Sequence, residues 1–109
     1  MIEKTYKFNK SDQKLIEKII NDENVNINHM ILYPGDNLPA HNSNSNVYLI
    51  ITKGTMDIAL DQQPPASYQS QNIVNVPFKT RMNIRNKGQQ PLEFLCNKGT
   101  PSPGYEIRR

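Results

Sequence analysis

Two histidines, one cysteine and a run of small polar residues carry most of the chemical potential of this 109-residue chain. His41 stands in the stretch PGDNLPAHNSNSNVYLIITKG, Pro34 to Gly54, two residues before Ser43 and ahead of an apolar run containing Val47 and Leu49. An imidazole exchanges its proton near neutral pH and can ligate a metal through a neutral ring nitrogen. His41 therefore suits acid/base work, ligation or hydrogen bonding at a pocket rim; the bland reading is a polar loop residue bonded to the Asn/Ser run. His29 lies in VNINHMILY, on the face that alternation assigns to Val25, Ile27, Ile31 and Tyr33, and reads as a satisfied core histidine. Cys96 is the only cysteine, which excludes an internal disulfide and a multi-cysteine metal site. It is expected to be a small buried hydrophobe.

The amides and hydroxyls of NSNSN can donate and accept toward a ligand, or bond to their own backbone as a polar loop does. Tyr48 and Tyr68 offer stacking surfaces, although aromatic residues in strands usually just pack. In FKTRMNIRNK, period-two alternation separates Phe78, Thr80, Met82, Ile84 and Asn86 from Lys79, Arg81, Asn83, Arg85 and Lys87. The four cations on one face read as a solvated surface, with an anion or acidic partner as the sharper option. No aromatic residues interleave with them as in single-strand nucleic-acid binders, so no nucleic-acid partner is expected.

The elements that must position these residues are mostly strands. VNINHMILY, NVYLIIT, TMDIAL, NIVNV, RMNIRN and LEFLCN are strand-like, with turn chemistry at Pro34-Gly35, Lys53-Gly54, Gln63-Pro64-Pro65, Val76-Pro77 and Lys87-Gly88. SDQKLIEKIINDE predicts the one helix, with Ser11 as its cap and Leu15, Ile16, Ile19 and Ile20 at helical spacing. The organisation expected is one domain: a strand/helix segment over 1–24 and a small antiparallel barrel or sandwich over 25–109. Mean hydropathy of -0.70 leaves no room for a membrane span, and the polar start MIEKTYKFNK lacks a signal-peptide core, so a cytoplasmic address is expected. The net charge of +3 favours solubility more than nucleic-acid binding. Arg108 and Arg109, two of the basic residues, are expected to fray.

From Val25 onward the chain resembles the cupin family. That family carries a first motif G-x5-H-x-H-x3-E-x6-G and a second, G-x5-P-x-G-x2-H-x3-N. The first motif keeps Gly35, His41 and Gly54 in register, with Ser43 in place of its second histidine and Val47 in place of its glutamate. The second keeps Pro77 and Asn86, while Gln71 and Lys79 replace its glycines and Met82 its histidine. The resemblance implies a small antiparallel jelly-roll β-barrel in which the ligands of a divalent metal come from His41 and the positions of Ser43, Val47 and Met82. Valine cannot coordinate, serine ligates poorly and a thioether suits soft metals only. No metal and no cofactor are therefore expected, unless His29 or Cys96 converges on His41.

What the resemblance leaves is an apolar pocket lined by His41, Ser43, Val47, Leu49, Met82 and Ile84. The expected function is small-molecule binding without a transition metal. The alternatives are a metal-independent isomerase or epimerase using His41 as acid/base, and a regulatory interaction module. No residue is assigned as catalytic, because no second titrating group is placed beside His41. A homodimer is also expected, since Tyr48, Ile50, Ile73 and Phe94 or Leu95 cannot all point inward with their neighbours.

Overall fold

The computed structural model describes residues 2–99; Arg108 and Arg109 lie outside the described residues. Among these residues the chain forms nine strands and no helix. They are β1 (Leu15–Asn21), β2 (Asn26–Leu32), β3 (His41–Asn42), β4 (Val47–Lys53), β5 (Thr55–Leu60), β6 (Ala66–Gln69), β7 (Ile73–Val76), β8 (Arg81–Arg85) and β9 (Leu92–Lys98). A five-stranded sheet in the order β1-β2-β9-β4-β7 packs against a four-stranded sheet in the order β3-β8-β5-β6, with every pairing antiparallel. This is the jelly-roll barrel that the resemblance to the cupin family implies.

The expected helix over SDQKLIEKIINDE is absent. Its centre is β1, which pairs with β2 at the edge of the larger sheet. A β-bulge between Lys18 and Ile20 explains the misleading pattern: Leu15, Glu17 and Ile20 oppose Ile31, His29 and Ile27 of β2, so one extra residue gives the strand a spacing resembling a helical one. Three isoleucines in the segment, β-branched and stiff at χ1, favour the strand once a neighbour is available to pair with. Ser11 does not cap a helix; its hydroxyl donates to the Gln13 carbonyl and accepts from the Gln13 N–H.

Alternation then sorts the side chains. Met30 and Leu32 of β2, Val47, Leu49 and Ile51 of β4, Met82 and Ile84 of β8, and Leu92, Phe94 and Cys96 of β9 share one core between the sheets. Arg81 and Arg85 lie outside it, and Arg85 Nη2 pairs with Asp57 Oδ1 at 3.1 Å across β5 and β8. Burial of each large side chain contributes roughly 1.5–3 kcal/mol. Phe94 points inward and Leu95 outward, which resolves the choice the sequence left open.

The second face of β2 is covered as well. His29 and Ile31, 1% and 6% exposed, face away from the barrel core. An N-terminal arm lies across this outer face, with the Phe8 ring centroid 4.5 Å from that of His29. The Tyr33 hydroxyl donates to the Ser11 carbonyl at 2.5 Å, and Lys14 Nζ donates to the Asn37 carbonyl at 3.0 Å.

Candidate ligand site

Four backbone positions show how the motif frame is kept. Gly35 and Gly54 have φ of 90° and 82°, and Gln71 and Lys79, where the family pattern has glycine, still hold φ of 73° and 66°. The left-handed turns have outlived the residue type that adopts them most readily. At Gly54 the space is closed too, because a Cβ there would lie 2.2 Å from the Pro91 carbonyl oxygen. Asn86 is buried and braces the same end of the barrel: its Nδ2 donates to the carbonyls of Leu32 and Gln90, and its Oδ1 accepts from the Gly88 N–H.

Ser43, in the place of the second histidine, is a buried staple. Its hydroxyl donates to the Pro77 carbonyl at 2.6 Å and accepts from the Thr80 N–H at 2.9 Å, and its backbone bonds to Thr80 and Lys79. Both sides of its hydroxyl are thus committed to the loop before β8. His41 is exposed on β3, directly opposite Met82 of β8, and its Nδ1 lies 3.1 Å from the Pro39 carbonyl. That contact makes Nδ1 the donor and leaves Nε2 open. Val47, Leu49, Met82 and Ile84 are 0 to 3% exposed within the core.

The side chains at the four family ligand positions do not fit a divalent ion. One exposed imidazole, one hydroxyl spent on the backbone, one valine and one thioether are not a donor set of three or more hard or borderline ligands. Among the described residues no three His, Cys, Asp or Glu side chains group so as to hold a metal. His29 is turned to the opposite face of its sheet. Cys96 is inside the barrel, where burial pushes its thiol pKa up and keeps it neutral.

Two half-buried polar side chains continue the inward row of β2 beyond the apolar core. Asn26 and Asn28 share the inward face of β2 with Met30 and Leu32, and their side-chain oxygens are buried with no hydrogen-bond partner. The register sets Asn28 in one row with Cys96 and Leu49, and Asn26 in the next with Lys98, Val47 and Val76. Unpaired acceptors therefore sit two strands from the valine and leucine assigned to the pocket. A shallow cleft of about 230 Å³ lies among Leu60, Asp61, Gln63, Pro77 and Thr80, and Leu60 pairs directly with Met82.

On the outer face, His29 stands between two carboxylates. Its Nδ1 is 2.7 Å from Glu17 Oε2 and its Nε2 is 2.6 Å from Glu93 Oε2. A neutral imidazole has a single N–H, so donation to both oxygens calls for the doubly protonated ring or a proton on one carboxyl. Glu17 also accepts from the Asn9 backbone N–H and side-chain amide, each at 2.9 Å. The Asn9 backbone bond, followed by the His29 contact, holds the Glu17 carboxyl below its ordinary pKa of 4.5. Sequence reasoning missed this cluster, because Glu17 fell in a segment read as helix and only the register of three strands brings Glu17, His29 and Glu93 together.

The fold and the kept motif positions define a double-stranded β-helix barrel. No family model matches the chain. An uncharacterized protein of Methanocaldococcus jannaschii is 46% identical over 104 residues, covering 94% of this chain and 89% of that protein. The crystal structure of that same M. jannaschii protein, an RmlC-like cupin family protein with a double-stranded β-helix fold, superposes with a TM-score of 0.88 at 44% identity over 98% of both chains. The chain belongs to the RmlC-like cupin family. At the level of fold alone, a cupin superfamily protein from Desulfitobacterium hafniense has a TM-score of 0.74 at 16% identity, covering 86% of this chain and 84% of that one. The cupin domain of Schizosaccharomyces pombe Cnp3 reaches 0.77, also at 16% identity, over 93% of this chain and 74% of that domain.

Proposed function

We propose that this cupin binds a small, largely apolar molecule bearing N–H or O–H donors inside its barrel, without a transition metal. The observation that carries the reading is the pair of buried, unpaired oxygens of Asn26 and Asn28 beside an apolar lining. An acceptor out of water and without a donor costs roughly 1–3 kcal/mol, and a ligand that donates to it recovers that cost. Val47, Leu49, Met82 and Ile84 supply apolar contact. Catalysis by His41 is the weaker reading, since among the described residues the ring meets only a backbone carbonyl and no titrating partner. The protein acts in the cytoplasm as a homodimer, paired through the outer face of β4, β7 and β9. Among the described residues no helix is long and apolar enough to cross a membrane. The binding reading is tested by denaturing protein taken straight from producing cells and identifying the released organic molecules by mass. One species released near stoichiometrically, and absent from Asn28→Leu protein, is expected; release of nothing above background from either protein would end the proposal.

A further inference from the structure

We propose that the groove between the N-terminal arm and the outer sheet face is a second binding site, separate from the barrel, for a small organic anion with an apolar body. The groove holds about 490 Å³, within the roughly 300–1,000 Å³ typical of small-molecule pockets. Ile31 and Pro91 line it from the sheet side and Phe8 from the arm, so its walls suit an aromatic or branched aliphatic group.

The charge of the groove follows from the cluster at its edge. Lys53 lies directly across from Glu93 in the register, where an ion pair would be expected, yet the two are not paired. The Glu93 carboxylate is turned instead to His29 Nε2 at 2.6 Å. Lys53 and Lys10 both line the groove, and neither has a hydrogen-bond or ion-pair partner among the described residues. The one carboxylate in the lining is thus engaged by a buried imidazole, and two ammonium groups are left for an incoming anion. Charge-assisted hydrogen bonds to a carboxylate or phosphate oxygen are the strong kind.

The arm that closes the groove is itself held in place, through Asn9 on Glu17, the Tyr33 hydroxyl on the Ser11 carbonyl, and Phe8 against His29. A wall fixed at three points is a preorganised one, which lowers the ordering cost of binding.

Amide chemical shifts of the nitrogen-15-labelled full chain, titrated with naphthylacetate and separately with neutral naphthylacetamide, test the proposal. Naphthylacetate is expected to shift the amides of Asn9, Ser11, Ile31 and Glu93, and to bind about tenfold more tightly than the amide. The double variant Lys10→Glu, Lys53→Glu changes only exposed side chains, and is expected to lose at least that factor while keeping the dispersed spectrum of the folded chain. Equal binding of acid and amide, full affinity in the double variant, shifts centred on Leu49 and Met82, or no saturable shift at millimolar probe would each overturn the groove site. The third of these would locate the probe in the barrel, so failure of this site is distinguishable from failure of the barrel reading.

Discussion

At the scale of single residues, the motif positions divide into those that keep a backbone shape and those that have changed their chemistry. Gln71 and Lys79 hold left-handed turns that cost an L-residue about 1 kcal/mol. Lys79→Gly is therefore expected to leave stability unchanged or raise it by up to about 1 kcal/mol, once the greater flexibility of unfolded glycine is deducted. Gly54→Ala meets both a positive φ and the Pro91 carbonyl, and is expected to cost at least about 2 kcal/mol. Urea unfolding of the two variants checks the contrast, and a destabilised Lys79→Gly beside a neutral Gly54→Ala would refute the account of the frame. Asn28→Leu replaces a buried unpaired acceptor by an apolar side chain of similar volume. Ligand-free protein carrying it is expected to gain about 1 kcal/mol, and a loss of that size would show that the Asn28 oxygen is already satisfied.

At the scale of elements, the arm is bound to the sheet through a titrating group. The Glu17 carboxyl has its folded-state pKa lowered by the Asn9 backbone bond and then by His29. Its contribution is complete above the ordinary value of 4.5 and is lost as pH falls through the lowered folded-state value. Acid titration is therefore expected to release the arm, seen as loss of protection at the Asn9 amide, below pH 4.5; Glu17→Gln is expected to weaken that protection at neutral pH. An Asn9 amide that exchanges equally fast in both proteins at neutral pH would contradict the assignment. β2, β4, β5, β7, β8 and β9 were legible in the sequence as apolar or alternating runs between turn residues; the two-residue β3 and the polar β6 were not, because neither carries an apolar face of its own. β1 was not, because a single bulged residue shifts its spacing. Nor was the face of β2 that lines the barrel, since both are apolar enough to be buried: Met30 and Leu32 face the core, while His29 and Ile31 lie beneath the arm. The cupin motif placed Val47, Leu49, Met82 and Ile84, but Asn26 and Asn28 belong to no motif and emerge only from the pairing of β2 with β9.

At the scale of the whole molecule, the outer face of the larger sheet presents Leu95, Ile50 and Ile73 in one row across β9, β4 and β7, with Tyr48 alongside. Ile73 is 64% exposed and Tyr48 43%. A continuous apolar row of this kind is usually covered by a partner. Light scattering is expected to give about twice the 12.5 kDa of one chain, and Ile73→Lys is expected to shift the protein toward the single-chain mass. A mass of one chain at high concentration would remove the dimer from the account.

The barrel itself is the central claim, and native mass spectrometry of gently isolated wild-type protein tests it most directly. The account predicts a population heavier than the bare chains by one organic ligand per barrel, reduced to bare mass in Asn28→Leu and unchanged by chelator. A mass increment of one zinc, iron, nickel or manganese per chain, lost in His41→Ala, would contradict it.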